Sequence, residues 1–213
     1  MCMLALGRPE DALACLSASE ALLEDGSSLE VRVLQTELLG GLCLAHLRQS
    51  ARLRSTHELA ARQHMEKSLQ IARDLAELTG GGRPNNYSEL PAYAHPAEVF
   101  LTLWEDRYPE EDLPDWAGKA CRSLQGYAKV FPIGRPRALL LHGRCAWLSG
   151  KPQRARAAWA QSLAAAQELD MPYDEALAHF EIGHRAEVDD PARLQHLGQA
   201  TAIFGKLGVD AVT

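Results

Sequence analysis

Aromatic side chains are scarce in this chain, at 6% of 213 residues. β-Branched residues are few as well, and no alternating apolar run carries a hairpin turn, so a sheet has little to build on. There is no excess of positive charge. The formal net charge is -6, which gives no bulk pull toward nucleic acid or anionic lipid. No stretch approaches the ~20 apolar residues that a spanning helix needs. The opening MCMLALGRPE has no basic n-region, and its apolar run is too short for a signal peptide. Cys2, Cys15, Cys43, Cys121 and Cys145 are odd in number, widely spaced and never C-x-x-C, which speaks for reduced thiols and a cytoplasmic chain. What remains is rich in Ala and Leu, 46% hydrophobic and 23% charged. That balance suits packed helices forming one domain or a short array of repeats.

One phrase is written twice. ARQHMEKSLQIARDL (residues 61–75) and ARAAWAQSLAAAQEL (155–169) share the template A-R-x-x-(M/W)-x-x-S-L-x-x-A-x-x-L. The apolar and small positions follow the spacing of one helix face. Ala61 and Ala155 are small where a partner helix comes close, and Met65 and Trp159 fill the gap one turn later. Weaker versions stand at SLQGYAKV (123–130) and ATAIFGKL (200–207). Four phrases at tightening spacing indicate an internal repeat rather than chance similarity between Ala- and Leu-rich helices.

Punctuation divides the chain in the same way. Pro9, Pro96, Pro114, Pro136, Pro152, Pro172 and Pro191 mark helix starts, where a missing N–H costs nothing. Asp170 and Asp190 stand near two of those starts as N-cap carboxylates. Gly7, Gly26, Gly80, Gly150 and Gly208 mark stops. The expected helices span about 9–24, 28–48, 56–79, 96–108, 114–131, 136–149, 152–169, 173–186 and 191–207. The stretch GGGRPNNYSELPAY (80–93) reads as a surface linker between two halves. The expected organisation is therefore N-terminal helical repeats at 1–79, a linker at 80–95, C-terminal helical repeats at 96–208 and a tail at 209–213.

The stretch ALLLHGRCAWLSGKPQRARAAWAQSL (138–163) resembles a tetratricopeptide-type repeat. Gly143 falls at the small position of its first helix, Gly150 at the turn, Ala155 at the small position of its second helix and Trp159 at the bulky one. His142 stands where the family usually has Leu, and the spacing here exceeds the family's 34-residue period. Over residues 114–208 the chain resembles the C-terminal helical repeats of large bacterial signalling proteins. In those proteins class III nucleotide cyclase or protein kinase domains are joined to a P-loop ATPase module. The family's catalytic motifs do not occur in this sequence, so the resemblance implies only its C-terminal scaffold role.

Catalytic and metal patterns fail on spacing. His57 and His64 are seven apart, not the four of H-E-x-x-H, and His179 and His184 lie roughly 140° apart around a helix. Each cysteine sits in an apolar helical context, and the carboxylates of WEDRYPEEDLPD (104–115) suit a solvated surface. Neither the 80–93 loop nor LSGKPQ (148–153) has the phosphate-binding pattern G-x-x-x-x-G-K-(S/T). The expectation is a chain with no catalytic residues, no metal and no cofactor.

Charge is segregated along the sequence. Between Trp116 and Gln167 there is no Asp or Glu, yet Lys119, Arg122, Lys129, Arg135, Arg137, Arg144, Lys151, Arg154 and Arg156 are all basic. Acid-rich stretches flank it on both sides. In a solenoid such segments become adjacent slabs, so the band either docks a partner or bridges to its acidic neighbours. Nucleic acid is a poor fit, because aromatic interleaving and a helix-turn-helix pattern are missing.

The expected architecture is all-α, a right-handed tetratricopeptide-like solenoid of about four to five helical hairpins. Its expected function is a non-catalytic, cytoplasmic scaffold that binds a protein partner or regulates upstream domains of the same polypeptide. The candidate docking residues are Arg135, Arg137, Arg144, Lys151, Arg154 and Arg156, beside a groove at His142, Trp147 and His179. The alternative is an effector-sensing domain controlling an attached ATPase, with a pocket lined by Trp147, His179 and Arg144. The apolar start Met1–Leu6 is the opposite of a polar cap. It suggests a larger parent protein, or self-association through residues 1–24.

Overall fold

The computed structural model describes residues 8–23 and 29–209, and these hold nine α-helices and no strand. Met1–Leu6, and with it the expected uncapped edge, lies outside the described residues, as do Cys2, Gly7 and Gly26. The chain divides into two compact units between Val130 and Phe131. The first contains α1 (Pro9–Leu23), α2 (Leu29–Leu53), α3 (Glu58–Gly80), a 3-10 turn (Tyr87–Glu89), α4 (Leu90–Glu105) and α5 (Leu113–Val130). In sequence order α1 packs on α2, α2 on α3 and α4 on α5, while α4 also lies against α2 and α3. The second contains a 3-10 turn (Pro132–Gly134), α6 (Arg135–Leu148), α7 (Pro152–Glu168), α8 (Pro172–Arg185) and α9 (Pro191–Leu207). Here α6 pairs with α7 and α8 with α9, and α8 also packs on both α6 and α7. Among the described residues no helix is long and apolar enough to cross a membrane.

Proline opens helices as expected at six of the seven marked positions; Pro96 is the exception. It lies inside α4, which begins at Leu90 with Pro91 in its first turn. An interior proline costs about 3 kcal/mol, but the turns after it bury Val99, Phe100, Leu101 and Leu103 completely. That burial outweighs the lost hydrogen bond. The stretch read as a linker over 80–95 accordingly shortens, and its last third is helix inside the first unit. Asp190 caps α9, accepting from the Ala192 N–H at 2.9 Å. Asp170 does not cap α8. It takes a left-handed conformation (φ 51°) after α7, and Met171 holds the N-cap position without a side-chain bond. Gly150 and Gly208 do supply positive φ after α6 and α9.

The duplicated phrase makes the same junction in each unit. In α3, Ala61, Met65 and Leu69 are buried, and Ser68 donates to the Cys43 carbonyl of α2 at 2.8 Å. In α7, Ala155 and Trp159 are buried, and Ser162 donates to the Pro136 carbonyl of α6 at 2.8 Å. The shared arginines, Arg62 and Arg156, face water. Trp159 lies against its partner helix at Gly143. A Cβ on Gly143 would collide with its indole nitrogen, which donates to the Leu140 carbonyl at 3.2 Å. In the first unit the tightest approach is elsewhere. A Cβ on Gly40 would lie 2.7 Å from the Pro91 backbone, and the buried His95 ring donates from Nδ1 to the Gly40 carbonyl at 2.8 Å.

Candidate docking residues, histidine pairs and clefts

The second unit carries all six candidate docking residues and all three groove residues. Arg137 on α6 donates from Nε to Asp174 on α8 at 2.8 Å, and its guanidinium lies over the Tyr173 ring. Two turns on, Arg144 Nε stands 3.4 Å from Glu181. Both pairs span 37 residues, so α6 and α8 keep one register over two turns. Their side chains are 10–14% exposed, which removes most of the water screening that weakens surface pairs. Arg185 also reaches Glu181, at 3.4 Å, and lies over Trp147. Arg135 meets Glu168 at 3.3 Å at an exposed site. Three of the six basic candidates are therefore bridged to acids that lie beyond residue 167 in the sequence. Lys151, Arg154 and Arg156 are exposed on or beside the first turns of α7, and no carboxylate pairs with them among the described residues.

The three groove residues have different surroundings. Trp147 packs against Trp159 with ring centroids 5.8 Å apart and belongs to the apolar cluster around Leu140, Ala155 and Ala178. His142 is half-buried on α6, where burial and then the nearby Arg154 lower its pKa. His179 is buried on α8 and faces His196 of α9, Nδ1 to Nδ1, at 2.7 Å. Its pKa is lowered by burial first and then by His196, against the pull of Glu175.

That histidine pair has a counterpart that sequence reading passed over. In the first unit His46 of α2 and His64 of α3 also meet Nδ1 to Nδ1, at 2.8 Å. Such a bond needs one ring to donate and the other to accept, so a neutral pair holds opposite tautomers. Protonating both rings would set N–H against N–H. Burial, His64 and Lys67, in that order, push His46 down to about 4, and burial followed by Lys67 lowers His64. The signal was available: both pairs join successive helices, 18 and 17 residues apart. Each pair has only two ring donors, and no group of three His, Cys, Asp or Glu converges on a metal position among the described residues.

Two overlapping clefts lie in the first unit. One of about 460 Å³ is lined by Thr36, Leu39, Leu78, Arg83, Glu89 and Tyr93, among others. Glu89 is buried there and accepts the Asn85 N–H at 3.1 Å. A second, of about 430 Å³, shares Thr79, Gly82, Arg83 and Tyr93 with it and continues along α5 past Lys119, Arg122, Ser123, Gly126 and Lys129. Ser123 donates to the Thr79 carbonyl at 2.9 Å, tying α5 to the end of α3. Burial and then Glu89 push the Tyr93 hydroxyl up to about 12, so it stays a neutral donor. No family model, curated protein or solved structure matches the chain.

Proposed function

We propose that this chain is a non-catalytic helical-repeat module, a right-handed tetratricopeptide-like solenoid. It docks a protein partner or regulates upstream domains of its own polypeptide, such as a signalling ATPase, cyclase or kinase, in the cytoplasm. The observation that carries the reading is the repeated junction. Ala61, Met65 and Ser68 in one unit, and Ala155, Trp159 and Ser162 in the other, use the same small residue, wedge and serine bond to hold a helix pair. A chain that reuses one hairpin design gains surface by repetition rather than a single enclosed site. Within this reading the docking role falls to Lys151, Arg154 and Arg156, because Arg137 and Arg144 are engaged with Asp174 and Glu181.

The test compares two triple charge reversals. Changing Lys151, Arg154 and Arg156 to Glu is expected to abolish association with the upstream domains, supplied in trans and followed by sedimentation, at an unchanged melting temperature. Changing Arg135, Arg137 and Arg144 to Glu is expected to lower the melting temperature first. Association that survives the first set would overturn the docking assignment. Effector sensing, the second reading, is favoured by the clefts of the first unit rather than by Trp147, His179 and Arg144, whose polar groups and rings are engaged within the fold.

A further inference from the structure

We propose that the cleft along α5 binds a small molecule carrying two or more phosphate groups, held by Arg83, Lys119, Arg122 and Lys129. All four cations line one cavity, and none of its lining residues is Asp or Glu. No carboxylate pairs with any of the four among the described residues, whereas Arg54, Arg62, Arg73 and Arg137 each have one. A chain of net charge -6 has carboxylates in excess, and those nearby line adjoining clefts instead: Glu89 in the one that shares Arg83, and Asp115 in a third beside Lys119 and Arg122. Four positive charges around one concavity repel one another, and a bound polyanion relieves that repulsion.

The geometry narrows the class of ligand. Lys119, Arg122, Gly126 and Lys129 recur at steps of three and four along α5, so they share one helix face. At 1.5 Å per residue, Lys119 and Lys129 are ~15 Å apart along the axis. One phosphate group can bridge Lys119 and Arg122, a single turn apart, but not reach Lys129 as well. A ligand with separated phosphates meets both ends. Lys119 is a positioned cation: its ammonium lies 4.7 Å from the Trp116 ring centroid, and that ring stacks on Phe100. Between the cations the floor is open, since a Cβ on Gly126 would find no atom within 4 Å. The volume of about 430 Å³ falls in the range of small-molecule pockets, and Tyr93 and Tyr127 supply an aromatic wall. The limited volume of this half-open cleft favours a small polyanion over an extended acidic peptide. The inference stands independently of the repeat-module reading, which concerns α7.

The experiment is calorimetric titration of the chain at about 0.15 M salt with tripolyphosphate, inorganic phosphate and a poly-Glu peptide. Tripolyphosphate is expected to saturate one site and to bind at least about tenfold more tightly than inorganic phosphate. Two variants locate the site: Arg122→Gln with Lys129→Gln removes charge from exposed side chains, and Gly126→Leu fills the cleft with every charge retained. Each is expected to weaken tripolyphosphate by about tenfold or more. The double glutamine variant keeps the test decisive if Gly126→Leu fails to fold. Absence of saturable binding, affinity unchanged in these variants, equal affinity for inorganic phosphate, or tighter binding of the poly-Glu peptide would each overturn the proposal.

Discussion

The two ends of one acid-free stretch have opposite fates. Lys119, Arg122 and Lys129, before the division at Val130, line a cleft and make no ion pair with an acid among the described residues. Arg135, Arg137 and Arg144, just after it, are met by Glu168, Asp174 and Glu181. Local composition is the same on both sides, so composition does not decide whether a cation is paired. What decides is the helix that folds back on it. α8 carries acids at positions 37 residues beyond Arg137 and Arg144, and its register against α6 brings them opposite. α5 is packed instead on α4 and α3, which bring it Thr79, Tyr93 and the Gly80–Arg83 turn.

The largest expected effect sharpens that contrast. Arg137→Met leaves Asp174 nearly buried without its partner, and truncating such a pair costs about 3–5 kcal/mol. Arg122→Gln on the exposed cleft wall is expected to change stability by no more than about 0.5 kcal/mol. Urea unfolding of both variants measures the difference; equal losses would remove the distinction between the two ends.

A smaller effect contrasts two helix glycines. Gly143→Ala drives a methyl into Trp159 and is expected to cost about 1–3 kcal/mol. Gly126→Ala meets open space and is expected to stabilise α5 by about 0.5–1 kcal/mol. Thermal melts of the two variants should move in opposite directions, and a shared direction would show that the indole does not lie on α6 as described.

The smallest expected effect is one that both units share. Folding holds His46 at about 4, and lowers His64 and His179, beneath the ordinary histidine value of 6.5. Below pH 6.5 the unfolded chain takes up protons that the folded pairs refuse. Stability is therefore full above that value and falls as pH drops from 6.5 toward about 4. Discounted for partial exposure, the loss between pH 7 and pH 5 is expected to be about 1 kcal/mol. It should shrink in the double variant His46→Asn, His179→Asn. A pH profile unchanged by that variant would show that the pairs do not govern the titration.

Much of the helix map was legible because proline and glycine act locally. Pro152, Pro172 and Pro191 open helices for reasons confined to one turn, and Gly150 and Gly208 end them through φ alone. Pro96 and Asp170 misled for the opposite reason. An interior proline survives in α4 because the residues around it are buried against other helices, and such contacts leave no mark in the local sequence. The candidate docking residues were only half legible. Their charge could be counted, but the acids opposite Arg137 and Arg144 lie 37 residues away, and their alignment depends on helix register.

By itself, then, the sequence determined the helical class, most helix ends and the position of the repeated junction, because periodicity, propensity and turn chemistry are properties of short segments. Tertiary structure alone decided three things: which basic residues are neutralised, which histidines face one another, and that Arg83 joins Lys119, Arg122 and Lys129 around one cavity. Each of these depends on the distance between side chains far apart in the chain. Coulomb and hydrogen-bond energies fall away within a few ångströms, so only helix packing sets those distances.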